Sequence, residues 1–387
     1  MRGEAFAGSV DVWRRSGVAP SRRRSVVGAL AVACICVCVL PGCGDTSAGA
    51  GSGVANQGSG DRSVIDVVAT VGMVADLVRN VGGERVRVTQ LMGPGVDPHL
   101  YRVTRDDVRK VFAADVVFAS GLKLEGNLSE ALRKMSRRKP VEAIAETLWA
   151  RRTGAGLGGS EAGGSESNAG VGGDHGADGE GGEFDPHLWM DVALWAGGCE
   201  RIAEVLAGVA GDHREEFMAN AVRHRDELLA LHHWGVDVIG SIPAEKRLLV
   251  TSHEAFGHFA TAYGIEAIGV QGLATDAEAG LARINRIVDR IVEGGVGAVF
   301  VESSVPTKTM DAVIEGAAAR GHRVMIGGVL FSDACGPVGR YEGTYMGMMD
   351  HNFTRIAQGL GGAVSRRGFR GLLMVDGEVP VAAEVSP

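Results

Sequence analysis

The chain has 387 residues, 45% hydrophobic and 22% charged, which is enough for two packed lobes. A formal net charge of −8 leaves no basic excess, so nucleic acid is not an expected partner. Six cysteines stand in the chain, four of them within residues 34–43, which leaves too few elsewhere for a disulfide framework.

Residues 22–43 read RRRSVVGALAVACICVCVLPGC, an arginine cluster followed by an apolar run too short to span a membrane and then by small residues. That is the pattern of a secretory signal over 1–42. The LPGC at its end resembles a bacterial lipobox, which would make Cys43 the lipidated first residue of the exported chain; a plain signal or an uncleaved anchor is the alternative. Residues 43–62 are rich in Gly and Ser and read as a flexible tether with a reach of roughly 25 Å. Cys34, Cys36 and Cys38 go with the signal, leaving Cys199 and Cys335, enough for one bridge at most. The expected location is outside the cytoplasm, membrane-anchored and facing the periplasm or the cell exterior.

From Val64 on, β-branched runs at 64–70, 86–92, 115–121 and 141–146 alternate with helical patterns at 72–83, 104–114 and 127–138. This predicts βαβ units around a parallel sheet. Thr104 with Asp107 resembles a capping box, which places the preceding loop just before a helix. Residues 153–182 are mostly Gly and acids and read as a surface loop, in which His175 is either a loose metal catch or solvated loop. Helical segments follow at 191–210 and, unusually long, at 212–242.

A second alternation follows, with strands at 247–253, 265–272, 297–303 and 322–329 and helices at 254–264, 279–295, 307–321 and 343–360. The expected fold is α/β: two lobes with mainly parallel sheets, joined by one long rigid helix. The N-terminal lobe would span 63–211, the linking helix 212–242, the C-terminal lobe 243–363 and a tail 364–387.

One motif occurs twice, as VDPHLY at 96–101 and FDPHLW at 184–189. Proline fixes its own φ and keeps the residue before it extended, so each copy presents its histidine on a stiff approach. In open α/β sheets ligands bind outside the carboxyl ends of strands. His99 and His187 from the motif copies, His253 at the end of RLLVTSH and Asp333 after HRVMIGGV are placed at such ends, two from each lobe. Three imidazoles and a carboxylate suit a first-row divalent ion.

The blocks GPGVDPHLYRVTRDD, FDPHLWMDVALW, LLVTSHEAFGHFATAYGI, VQGLATDAEAG, VFVESSVPTKTMDA and LFSDACGPVGRYEGTYMGMMDHN stand in collinear order over roughly 64–362. In them the chain resembles the zinc/manganese substrate-binding proteins of ABC transporters, the cluster A-I group. The resemblance implies two α/β lobes bridged by one long helix and a single metal ion in the cleft, held by His99, His187, His253 and Asp333. It implies Zn²⁺ or Mn²⁺ as cargo, with a permease and its ATPase as partners and the lipid on Cys43 as the membrane contact. The third ligand position is Glu in some manganese-type members and His253 here, which leans toward the zinc-type and mixed zinc/manganese branch. Zinc-type members often carry a His-rich loop where this chain has 153–182 with His175 alone, so an auxiliary metal-catching loop is in doubt.

Glu302 and Ser303, at the end of VFVESS, are candidates for orienting an imidazole from behind, or for a cap or core-edge role. His258 reads as structural, and His213, His224, His232 and His233 as solvated faces of the long helix. Trp189 and Trp195 read as core. Competing functions are a zinc hydrolase using His99, His187 and His253 with Glu254, Asp276 or Glu302 as acid or base, and a surface adhesin on the same fold. No motif pairs those acids with a nucleophile, so the expected protein is not an enzyme, and a monomer.

Overall fold

The computed structural model describes residues 64–154, 184–277 and 279–374. The signal, Cys43, the tether, all but the start of the 153–182 loop with its His175, and residues 375–387 lie outside the described residues. Those described belong to one unit. None of their helices is long and apolar enough to cross a membrane.

The N-terminal lobe opens with β1 (Ile65–Ala69), α1 (Gly72–Gly82), β2 (Val86–Gln90), α2 (Arg105–Ala113), β3 (Val116–Ala119), α3 (Asn127–Met135) and β4 (Val141–Ala143). All pairings are parallel, in the order β2-β1-β3-β4. The capping box is present in both halves: Thr104 Oγ1 accepts from the backbone of Asp107, whose carboxylate takes the Thr104 N–H. The strand expected over 141–146 stops at Ala143, and α4 (Ile144–Thr153) begins at once. Glu142 accepts from the Thr147 hydroxyl at 2.6 Å, while Ile144, Ala145 and Leu148 turn into the core, so burial on a helical stripe wins over the β-like local composition.

After 184, α5 (Val192–Ala196) and α6 (Gly198–Val209) lead into α7 (Arg214–Gly240), 27 residues and about 40 Å long. This helix packs on α1, α5, α6, α8 and α11, elements of both lobes, so it is less a bare strut than a shared spine. That placement corrects one expectation: His224 is buried, because its face of α7 packs against the protein, while His233 is exposed as expected.

The C-terminal lobe contains β5 (Leu248–His253), α8 (Gly257–Tyr263), β6 (Glu266–Gln271), α9 (Leu281–Glu293), β7 (Ala298–Glu302), α10 (Lys308–Ala319), β8 (Met325–Leu330) and α11 (Tyr345–Leu360). β5 pairs with β6 and β7 with β8, all parallel, and β5 lies beside β7. Strand alternation splits the side chains between two cores. Leu249, Phe300 and Leu330 join a core that continues through α7 into the N-terminal lobe, and Leu248, Val250, Val299 and Val301 pack under α9 and α10. The start of the tail folds back: the Phe369 ring lies 5.5 Å from that of Trp234, and its N–H donates to Asp350. Cys199 and Cys335 are buried free thiols, so the one possible bridge is not formed.

Candidate metal centre

The duplicated motif is a turn that aims a histidine. In the first copy Asp97 Oδ1 accepts the His99 N–H at 2.8 Å across the intervening proline, and in the second Asp185 Oδ1 accepts the His187 N–H at 3.0 Å. The aromatic residue that closes each motif anchors it. Tyr101 donates to Asp107 at 2.7 Å, and Trp189 Nε1 donates to the Ser332 carbonyl at 2.8 Å. One detail departs from the strand-end expectation: His99 follows β2, but among the described residues the element before His187 is the helix α4 and not a strand.

Behind His99 the chain passes so close that residue 126 has to be glycine. Gly126 has φ +46, and a Cβ there would stand 3.1 Å from the His99 carbonyl oxygen. Gly126→Ala is expected to cost about 1–2 kcal/mol of stability and to push the His99 loop outward. Thermal unfolding and metal titration of the variant check both; an unchanged affinity would mean the His99 loop tolerates the shift.

In the C-terminal lobe all four strands end at the same place. His253 is the last residue of β5 and Glu302 the last of β7. Because β5 and β7 are neighbours, His253 Nδ1 meets Glu302 Oε2 at 2.5 Å, and the His253 N–H donates to Glu302 Oε1 at 3.0 Å. Asp333 follows β8 by a short loop, and Ser304 Oγ donates to its Oδ2 at 3.3 Å. The Ser303 hydroxyl, by contrast, is buried without a hydrogen-bond partner and touches no imidazole nitrogen.

The four candidate groups converge. His99 Nε2 lies 3.3 Å from His187 Nε2, and Asp333 lies 3.4 Å from His187 Nε2 through Oδ1 and 3.4 Å from His253 Nε2 through Oδ2. All four ligand atoms fall within 4.8 Å of one another. Bonds of about 2.0–2.1 Å in a tetrahedron place ligand atoms about 3.3–3.4 Å apart, so whichever Asp333 oxygen serves as ligand, two edges of the cage already have that length. His187, His253 and Asp333 are buried and His99 is half-buried. His253 Nε2 and Asp333 Oδ1 make no hydrogen bond although both are out of reach of water. Orphaned buried polar atoms are costly, and a cation between them would satisfy both.

The carboxylates behind the rings set the tautomer. Asp185 Oδ1 takes the Nδ1 proton of His187 at 2.7 Å and Glu302 that of His253, which leaves each Nε2 free to face the cluster. Burial pushes the His187 ring down, but Asp185 and Asp333 together outweigh it and its pKa is raised. The same contest, with Glu302 and Asp333, lifts His253 well above the ordinary value. Burial would raise Asp333, yet the rings of His253 and His187 hold it well below the usual carboxylate range. His99 has no carboxylate on its ring, and burial lowers its pKa.

Asp97, Asp185 and Ser304 escaped sequence reasoning as contributors. The motif itself carried the signal for the two aspartates, since Asp two residues before a donor N–H is a turn-former. Ser304 had none. His258 Nε2 sits 3.3 Å from the Asp185 carbonyl oxygen, a bracing position outside the cluster, and Trp189 and Trp195 are fully buried. Glu254 is engaged by Arg283.

The architecture is that of a two-lobed binding protein whose cleft can enclose one cation. A family model described as zinc-uptake complex component A, periplasmic, matches residues 67–359, and the chain belongs to that family. The manganese-binding lipoprotein MntA of Bacillus subtilis is 39% identical over 333 residues, covering 86% of this chain and 99% of that protein. The zinc-binding protein TroA of Treponema pallidum is 38% identical over 294 residues, covering 76% of this chain and 88% of that one. A solved structure of the periplasmic zinc binding protein TroA from Treponema pallidum aligns with a TM-score of 0.67 at 38% identity, over 77% of this chain and 99% of its own.

Proposed function

We propose that the chain is the extracytoplasmic substrate-binding protein of an ABC importer. It captures one Zn²⁺ or Mn²⁺ through His99, His187, His253 and Asp333 and delivers it to a membrane permease driven by its ATPase. It acts as a monomer held at the membrane by a lipid on Cys43. The observation that carries the reading is the buried pair of orphaned atoms, His253 Nε2 and Asp333 Oδ1, inside a cluster whose four ligand atoms lie within 4.8 Å of one another.

Two relatives of nearly equal similarity are named for different metals, so their names do not choose the cargo. Intrinsic affinity of nitrogen and oxygen donors runs higher for Zn²⁺ than for Mn²⁺. The site therefore holds Zn²⁺ the more tightly, and which ion is imported depends on supply.

The donor set argues against catalysis. Four protein ligands fill a tetrahedral ion, whereas a catalytic zinc keeps a position open for water. Two of the acids considered as general bases are occupied, Glu302 by His253 and Glu254 by Arg283. Equilibrium dialysis of the chain from Gly44 onward, stripped and then exposed to equal free Zn²⁺ and Mn²⁺, should return about one equivalent of metal, mostly Zn²⁺. A folded sample that holds none overturns the reading.

A further inference from the structure

The four candidate ligands are not held equally. His187 and His253 each have a carboxylate on the ring, from Asp185 and Glu302, and Asp333 has the Ser304 hydroxyl. His187 and Asp333 are also tied to each other across the lobes, because Trp189 donates to the Ser332 carbonyl and accepts at its own carbonyl from the buried Tyr345 hydroxyl at 2.6 Å. The His99 ring faces the rings of His187 and His253 with no carboxylate or hydroxyl bonded to it among the described residues, and its loop sits at the half-buried mouth of the site. Its backbone is fixed by Asp97 Oδ1.

What fixes Asp97 comes from the other lobe. The Thr275 hydroxyl donates to Asp97 Oδ2 at 2.5 Å, so one carboxylate joins the His99 turn on one side to the loop after β6 on the other. Thr275 is 9% exposed, and its loop is braced by Gln271 Nε2 donating to the Ala277 carbonyl at 3.3 Å. The same N-terminal loop touches the C-terminal lobe once more at Gly95, where a Cβ would stand 3.6 Å from the Ser303 carbonyl oxygen. That second contact is ordinary packing without a hydrogen bond. The threonine is the directional one.

We propose that Thr275 is a latch: by bonding Asp97 across the cleft it holds His99 on the metal, and breaking that bond is the first step of metal release. This rests on the metal-binding reading above. Thr275 touches no metal and is a positioning residue acting through Asp97. Release begins at His99 because the other ligands are buttressed by carboxylates, a hydroxyl or the Trp189 link, and His99 is the ligand nearest solvent. A permease that drew the loop after β6 away from Asp97 would free His99 without disturbing the buried Trp189 link.

The test is the rate of Zn²⁺ loss from the loaded protein, followed by stopped-flow mixing with excess chromogenic chelator. Thr275→Val keeps the shape and removes the hydroxyl, and is expected to release Zn²⁺ about 10–100-fold faster, the range for lost outer partners of a metal ligand. Thr275→Ser restores the donor and is expected to return the rate to near wild type, which a loss of packing alone would not do. In a His99→Ala background, Thr275→Val is expected to add nothing, since the latch acts through His99. A release rate unchanged by Thr275→Val, or an equal acceleration with and without His99, overturns the latch while leaving the metal site standing. A wild-type protein that loads no Zn²⁺ overturns the metal reading and the latch together.

Discussion

Asp333→Ala is expected to lower Zn²⁺ affinity by more than about a hundredfold, because removing an outer partner of a metal ligand already costs about 10–100-fold and Asp333 is itself a proposed ligand. It supplies the one negative charge in the cage, 3.4 Å from two ring nitrogens. Its effect on the metal-free fold should be smaller than its burial suggests. Breaking a buried ion pair commonly costs about 3–5 kcal/mol, but only when the surviving charge stays buried and unpaired. Here the survivors are imidazoles, which escape by losing a proton, so at neutral pH the variant should unfold within a few degrees of the metal-free wild type. Asp333→Asn separates the two effects, since it keeps the acceptor for Ser304 and removes the charge. Calorimetric titration with Zn²⁺ and thermal unfolding without it are the measurements. Wild-type affinity in Asp333→Ala would remove this residue from the site.

The alternation of the lobes was legible because its signals are local, whereas the four convergent residues, far apart in the chain, were singled out by the resemblance of whole sequence blocks and only suggested by strand ends and the repeated turn. Strand ends are marked by β-branched runs stopping at polar residues, as RLLVTSH stops at His253, and the repeated Asp-Pro-His turn announces itself by repetition. What was not legible depends on which strands become neighbours. Glu302 could be suspected from its place at a strand end, but that it backs His253 rather than another ring follows from β5 lying beside β7. Ser303 and Ser304 look alike in sequence, and only the path of the chain as it bends after β7 decides which hydroxyl turns toward Asp333. Thr275 lies 178 residues from Asp97, and nothing in either segment foretells that they meet. His224 was misread for a related reason: α7 has little amphipathic contrast along its length, and its buried face changes partners from one lobe to the other.

Proton release is the second large effect expected. In the metal-free protein the pKa values of His187 and His253 are raised, since the carboxylates around them outweigh the burial that alone would lower them, while Asp333 stays ionised. A histidine whose pKa is higher folded than unfolded stabilises the fold fully below the unfolded value of about 6.5, and that contribution is lost as pH rises through the folded value. Metal binding runs the other way, because each Nε2 must shed its proton before it can bind. From below pH 6.5 up to the raised values, each displaced proton makes affinity rise about tenfold per pH unit, or about a hundredfold when both rings are protonated. The gain in unfolding temperature on adding Zn²⁺ should therefore widen steadily as pH rises through this window. Titration calorimetry in buffers of different ionisation heat counts the protons directly. Glu302→Gln, which keeps the contact with His253 but removes the charge raising its pKa, should reduce the count toward one. A count of zero in the wild type at pH 6.5 would mean both rings are already neutral, and that the carboxylates orient the imidazoles without charging them.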